Sequence, residues 1–171
     1  MKEILVVSGK GGTGKTSITA ALAALFNDIV LADCDVDAAD LHLVISPDVK
    51  TTSDFISGHQ AVINQADCTS CSMCLNVCRF DAVKIGDGGK LFIDPVACEG
   101  CGVCTWMCPQ KCIDFPESLC GHLYSSETRF GPMVHAKLAI AAENSGKLVS
   151  EVRSLAKLIA KENNLDTILI D

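Results

Sequence analysis

The sequence predicts an α/β protein built on a parallel sheet, with a smaller α+β domain inserted into it. Three observations lead there. An apolar run, Ile4-Leu5-Val6-Val7, meets a glycine-rich stretch from Ser8 to Ser17, and an Ala/Leu-rich run from Ile18 to Phe26 follows. A second apolar run ends in the acidic segment Asp33-Cys34-Asp35-Val36-Asp37. Between residues 61 and 115 a cysteine pattern appears twice, offset by thirty positions. Strands that alternate with helical patterns point to a parallel sheet.

Residues 3–8 read as a parallel strand buried on both faces, because the run is continuous rather than alternating. Residues 15–26 read as the first helix, with Asn27 as its stop, and residues 28–32 as a second strand. Strand, glycine-rich loop and helix form the context of a phosphate-binding loop. Its glycines let successive backbone N–H groups turn inward toward phosphate oxygens, and the helix adds its positive N-terminal end. The loop residues Gly9, Lys10, Gly11, Gly12, Thr13, Gly14, Lys15, Thr16 and Ser17 are the candidate nucleotide contacts. Lys15 is expected to reach the β- and γ-phosphates, and the Thr16 hydroxyl to bind Mg²⁺.

Lys10 adds a second lysine to the loop. The string Lys-Gly-Gly-Thr-Gly-Lys-Thr from Lys10 to Thr16 resembles the deviant Walker A loop of the MinD/ParA/Mrp ATPases and the nitrogenase iron protein. That resemblance implies an ATP-dependent homodimer in which Lys10 reaches the partner subunit's ATP, and a catalytic role for Lys10 and Lys15. Asp33 to Asp37, with Leu41-His42-Leu43 after it, resembles the family's switch I region. By that match Asp33 contacts the Mg²⁺ shell, and Asp35 orients or deprotonates the attacking water. Three acids within five residues also suit a solvated turn. Cys34 is read as a small buried residue, and His42 as a packed histidine at the surface edge. Residues 51–58 read as a short helix with a Thr or Ser cap.

Residues 61–85 and 91–115 then repeat one another. Cys68, Cys71, Cys74 and Cys78 align with Cys98, Cys101, Cys104 and Cys108, and both sets have the spacing C-x2-C-x2-C-x3-C. Each half reads as strand, cysteine loop with short helix, strand. Pro109 follows the second run and Arg79 the first. The pattern resembles a bacterial two-cluster ferredoxin. The resemblance implies crossed ligation, in which the fourth cysteine of each run serves the other cluster. Cys68, Cys71, Cys74 and Cys108 would then hold one [4Fe–4S] cluster, and Cys98, Cys101, Cys104 and Cys78 the second. Structural zinc is the competing reading, usually built from separated cysteine pairs. Cys112 stands where the first half has Ala82 and is read as packing; Cys120 is assigned to no cluster.

After Pro116 the α/β pattern resumes. Residues 121–126 and 133–138 are strand candidates split by Gly131-Pro132. Leu148, Val149, Val152, Leu155 and Ile159 fall on one helical face, with Ser145 as a candidate cap. Residues 167–171 read as a buried strand ending in Asp171, at the position where the resemblance implies a water-mediated Mg²⁺ contact. The expected organisation is a nucleotide-binding P-loop domain over 1–59 and 117–171, with a ferredoxin-like domain inserted over 60–116. The family's switch II and base-recognising residues are expected beyond Asp171, so the chain is read as the N-terminal part of such an ATPase.

The chain of 171 residues is 49% hydrophobic, with net charge −7 and no basic run. That argues against nonspecific nucleic-acid binding, which relies on Lys and Arg to neutralise phosphates. No apolar run approaches the ~20 residues of a transmembrane helix. Eleven cysteines without a recognisable signal peptide favour metal ligation in a reducing, cytoplasmic setting over disulfides. ATP, Mg²⁺ and two [4Fe–4S] clusters are the implied cofactors, with a redox or apo-protein partner. Three functions follow from the resemblance: ATP-gated electron transfer, iron–sulfur carriage or assembly of the Mrp type, and MinD/ParA-like positioning with structural or sensory clusters.

Overall fold

The computed structural model describes residues 1–10, 12–26, 28–139 and 145–171; Gly11 of the loop and Asn27, the expected helix stop, lie outside them. In chain order the first elements are β1 (Lys2–Leu5), α1 (Lys15–Ala23), β2 (Ile29–Ala32), α2 (Leu41–Ile45) and β3 (Asp48–His59). The cysteine repeat contributes β4 (Val62–Ile63), α3 (Met73–Val77), β5 (Val83–Ile85), β6 (Leu91–Ile93), α4 (Val103–Met107) and β7 (Ile113–Asp114). Then follow β8 (Glu117–Thr128), β9 (Gly131–Leu138), α5 (Ser145–Glu162) and β10 (Thr167–Ile170). Contacts gather these into two compact units, Met1–Phe55 with Cys120–Asp171, and Ile56–Leu119.

The larger unit is organised by a six-stranded, mostly parallel sheet in the order β1-β10-β2-β9-β8-β3. Four strands run parallel, with Ile4 opposite Leu169, Leu169 opposite Leu31, and Leu31 opposite Met133. β8 turns back antiparallel onto β9, pairing Tyr124 with His135. The hairpin turns at Arg129-Phe130, so Gly131-Pro132 opens β9 rather than separating the strands.

Alternation along β2 explains the layers, since successive side chains point to opposite faces. Val30 and Ala32 join the core under Leu148, Val152, Ala156 and Ala160 of α5. Ile29 and Leu31 join Ala23 of α1 and Leu41 and Ile45 of α2 on the other face. β1 departs from the expectation of burial on both faces. Among the described residues β1 pairs with β10 alone, and Leu5 is 59% exposed.

The expected helix over 51–58 is also corrected, because this segment lies in β3. Phe55 and Ser57 are buried while their neighbours are exposed, the period of a strand rather than a helix. Val49, Thr51 and Thr52 are β-branched, which suits a pleated surface. Phe55 reaches the core below α5, which outweighs the weak local cap signal.

In the smaller unit the two halves of the repeat interlock. β4 pairs antiparallel with β7, placing Ile63 opposite Ile113, and β5 pairs antiparallel with β6, placing Val83 opposite Ile93. The backbone repeats as well: Ser70 and Ser72 take positive φ at the positions of Gly100 and Gly102, and Asp81 at that of Lys111. Gly100 has a second reason to lack a side chain. A Cβ there would lie 2.2 Å from the His59 carbonyl oxygen.

His135 lies at the centre of a ring stack in the larger unit. Its ring is 4.8 Å from Tyr124 and 5.5 Å from His42, centroid to centroid. Burial, then the neighbouring His42, push the His135 pKa down to about 4. The folded chain therefore holds this imidazole neutral while the unfolded chain begins to protonate it near its ordinary value of 6.5. Stability contributed by the neutral ring is complete above about pH 6.5 and is lost as pH falls toward about 4. Denaturant melts of wild type and His135→Phe over that window are expected to converge as pH falls, wild type losing the greater stability. Parallel pH dependence in both proteins would contradict this.

Candidate functional site

The glycine-rich loop leaves β1 and enters α1 through two left-handed residues, Gly12 and Gly14. The N-cap of α1 is Gly14, and among the described residues no side-chain capping hydrogen bond is made there, so the N–H groups of the first turn stay available to an anion. Residues 8–10 and 12–17, with Asp35, Ala38 and Asp40, line a pocket of ≈ 670 Å³. Gly9, Lys10, Gly12, Thr13, Gly14, Lys15, Thr16 and Ser17 are thus gathered around one space.

Lys15 projects from the first turn of α1 and meets the Asp35 carboxylate at 3.3 Å. Lys10 is exposed on the same pocket. The Thr16 hydroxyl donates to Asp171 Oδ2 at 2.8 Å. This puts a hydroxyl and a carboxylate side by side at the floor of the loop, a donor pair suited to Mg²⁺ and its waters. Thr19 holds the other oxygen of Asp171 at 2.7 Å and is fully buried. Thr19 was not among the expected site residues. Its position one helical turn after Lys15, on the face of Thr16, is the signal that could have found it.

Asp33 is fully buried at the end of β2. Its two oxygens accept the backbone N–H groups of Asp35 and Leu41, at 3.1 and 3.2 Å. It therefore anchors the acidic segment and the start of α2. Burial pushes the Asp33 pKa up to about 6 against those two hydrogen bonds, and the charges of Asp171 and Asp35 add to the rise. His42 is half-buried in the ring stack, and Cys34 is partly buried against the α5-side core.

In the smaller unit, strand pairing decides which cysteines meet. Cys78 leads into β5, whose first residue Val83 lies opposite the last residue of β6, Ile93. The second cysteine loop starts directly after β6. One pocket is accordingly lined by Cys78 of the first run together with Cys98, Cys101 and Cys104 of the second. The mirror relation holds for β7 and β4. Cys112, four residues after Cys108, lies 3.5 Å from the Cys108 sulfur and also neighbours Cys68 of the first run. Cys74 neighbours Cys68 and Cys71.

The fourth cysteine of each run is surrounded by N–H donors. Burial opposes ionisation of Cys78, but the N–H groups of Phe80, Ala82 and Val83 outweigh it and hold the thiol below its ordinary pKa. The same balance holds for Cys108, with the N–H groups of Cys112, Gln110 and Lys111 and the Cys112 thiol as donors. Burial pushes Cys74 and Cys104 the other way. Among the described residues no three His, Cys, Asp or Glu side chains converge as they would around one metal ion. Cys120 belongs to the core of the larger unit.

A family model for the CobQ/CobB/MinD/ParA nucleotide binding domain matches residues 4–171. The chain belongs to this family. It is 37% identical over 158 residues to an uncharacterised protein of Methanocaldococcus jannaschii, covering 91% of this chain and 55% of that protein. It is 39% identical over 69 residues to the septum site-determining protein MinD of Buchnera aphidicola, covering 37% of this chain and 26% of that protein. A shorter match, 42% over 44 residues, is to one component of the Na⁺-translocating ferredoxin:NAD⁺ oxidoreductase complex of Acetobacterium woodii; it covers 26% of this chain and 13% of that component. The chain spans about half the length of the uncharacterised relative.

For this CobQ/CobB/MinD/ParA domain, the loop geometry gives a direct expectation. Lys15→Ala removes the cation nearest the uncapped end of α1, and ATP affinity should fall roughly tenfold to hundredfold, the weight of a charge-assisted hydrogen bond. Calorimetric titration with Mg²⁺–ATP reads the change; affinity equal to wild type would show that Lys15 does not meet the phosphates.

Proposed function

We propose that the chain is the nucleotide-binding part of an ATP-dependent electron-transfer protein carrying two [4Fe–4S] clusters. The observation that carries this reading is the pocket lined by Cys78, Cys98, Cys101 and Cys104, which draws thiols from both runs. Thiolates are the usual ligands of iron–sulfur clusters, and the N–H groups around Cys78 and Cys108 favour the ionised form that ligation requires. Cys78, Cys98, Cys101 and Cys104 would hold one cluster, and Cys68, Cys71, Cys74 and Cys108 the other. Each cluster, when bound, would accept and release one electron. The short match to an oxidoreductase component supports an electron-transfer role.

At the nucleotide site, Lys15 and the loop N–H groups would bind the phosphates of ATP. Thr16 and Asp171 would hold Mg²⁺, with Asp33 keeping the acidic segment in register. Asp35 would leave Lys15 and orient, or take a proton from, the attacking water. Lys10 would act across a homodimer, reaching the partner subunit's nucleotide. The cysteine-rich unit is proposed as a two-cluster ferredoxin-like insertion over 60–116, working with an unidentified redox partner in the cytoplasm. Exposure of Cys71 and Cys101 favours a second reading, release of a cluster to an apo-protein as in the Mrp branch.

Anaerobic reconstitution of the complete protein is expected to bind iron and sulfide in equal amounts, filling both sites. Cys78→Ser should damage the cluster built on Cys98, Cys101 and Cys104 and spare the other. Zinc uptake without sulfide would sink the iron–sulfur reading, and loss of the cluster built on Cys68, Cys71 and Cys74 would argue for uncrossed ligation.

Gating makes a separate demand. The acidic segment at Asp33–Asp37 leads through α2 into β3, and β3 leads into the cysteine repeat. Switch segments ordered by a γ-phosphate bias two-state elements, and such coupling is reciprocal. A typical coupling of roughly 1–3 kcal/mol corresponds to ~45–130 mV for one electron at ~59 mV per tenfold change. The lower end is expected in redox titrations comparing ADP with a non-hydrolysable ATP analogue. Identical potentials, with equal nucleotide affinity in oxidised and reduced protein, would exclude the coupling.

A further inference from the structure

After the fourth cysteine of each run the two halves of the repeat differ at four consecutive positions, Arg79 to Ala82 against Pro109 to Cys112, and one of these differences puts a thiol against a neighbouring cysteine sulfur. Cys108 and Cys78 occupy matching places, and backbone N–H groups meet both, among them Gln110, Lys111 and Cys112 at the one and Phe80, Ala82 and Val83 at the other. The residue at the matching position beyond is Cys112 in the second half and Ala82 in the first. Cys112 is buried, its sulfur 3.5 Å from Cys108 and beside Cys68. Ala82 is buried as well and offers only a methyl group. A ligating cysteine is a thiolate and has no hydrogen to give, so in a Cys108–Cys112 pair the donor must be Cys112.

We infer that the Cys112 S–H donates a hydrogen bond to the Cys108 sulfur and raises the reduction potential of the cluster held by Cys68, Cys71, Cys74 and Cys108 above that of its neighbour. The inference rests on the two-cluster reading. Reduction adds one electron, taken from an external reductant such as dithionite, and no bond to Cys112 is made or broken. The added charge spreads onto the cluster and its thiolates, and a donor aimed at one of those sulfurs stabilises the reduced form more than the oxidised form. Backbone donors meet the fourth cysteine in both halves, whereas a side-chain thiol meets it in the second half only, where Cys112 stands in place of Ala82. The thiol is the unmatched donor. Cys112 is thus a positioning and tuning residue, and the singly reduced protein keeps its electron on the cluster bearing Cys108. The two halves consequently form an ordered pair, with one cluster as the thermodynamic sink.

The alanine at position 82 indicates that Cys112→Ala is compatible with this fold. The test is a potentiometric titration of the complete, anaerobically reconstituted protein with dithionite, monitored by electron paramagnetic resonance, after iron and sulfide have been counted. Wild type is expected to show two potentials. In Cys112→Ala the higher one should fall by about fivefold in reduction equilibrium constant, the weight of one ordinary hydrogen bond, or ~40 mV at ~59 mV per tenfold. The lower one should stay. Cys112→Ser, which keeps a donor, should retain the higher potential. Ala82→Cys should raise the lower one. Full loading of Cys112→Ala with both potentials unchanged overturns the inference and leaves the two-cluster reading standing. Should Cys112→Ala fail to load, Ala82→Cys decides: a raised lower potential supports the inference, and unchanged potentials overturn it. A wild-type chain that takes up no sulfide overturns both.

Discussion

Asp171 is nearly buried, and a carboxylate in that position must be hydrogen-bonded. One element answers that need, and the backbone of the same residue ties two further segments to it. Thr16 and Thr19 bring the start of α1 onto its two oxygens. Its backbone N–H donates to Ala32 at the end of β2, and its carbonyl accepts from Cys34. The phosphate loop, the helix behind it, β10 and the acidic segment are thereby held to a common origin. The Lys15–Asp35 contact of 3.3 Å joins the same helix to the same acidic segment. Asp33, fully buried, holds that segment by accepting the backbone N–H groups of Asp35 and Leu41.

The smaller unit depends on pairing rather than on a single group. Antiparallel pairing of β5 with β6 and of β4 with β7 carries Cys78 to the loop of the second half and brings Cys112, in contact with Cys108, beside Cys68 of the first. Sequence spacing alone does not do this. Two consecutive copies of the repeat could have folded side by side, each closing on its own four cysteines. The short strands make the difference, although β4 and β7 are each two residues long. Their apolar residues Ile63, Val83 and Ile113 form one core with Cys74 and Cys112, so the cysteine loops and the strand pairs are packed by the same side chains.

The loop, the first helix, the second strand, the repeat and the long α5 were legible because each couples a periodic apolar pattern to a distinct local signal. For the loop that signal is glycine with Lys15 and Thr16, and for the repeat it is cysteine spacing. Where the two kinds of signal diverged, the reading failed. Residues 51–58 offered hydroxyl residues that suggest a helix cap, while the burial of Phe55 and Ser57 that defines a strand depends on a sheet formed by distant segments. β1 looks like a central strand in composition, but position in a sheet is a property of its neighbours. Cys112 was read as packing, and it does pack. Its contact with Cys108 depends on side-chain placement that spacing does not specify.

The two halves of the repeat share a backbone but not a steric tolerance. Ser70 and Gly100 adopt nearly the same left-handed conformation, and serine accommodates it in the first half. In the second half the chain entering the unit places the His59 carbonyl where a Cβ would sit. Information can therefore pass between the halves in one direction only: glycine could be copied from position 100 to position 70, whereas the serine of the first half has no room in the second. The entry point of the chain thus makes a two-fold pattern directional, and any redesign by duplication would have to take the second half as its template at this position.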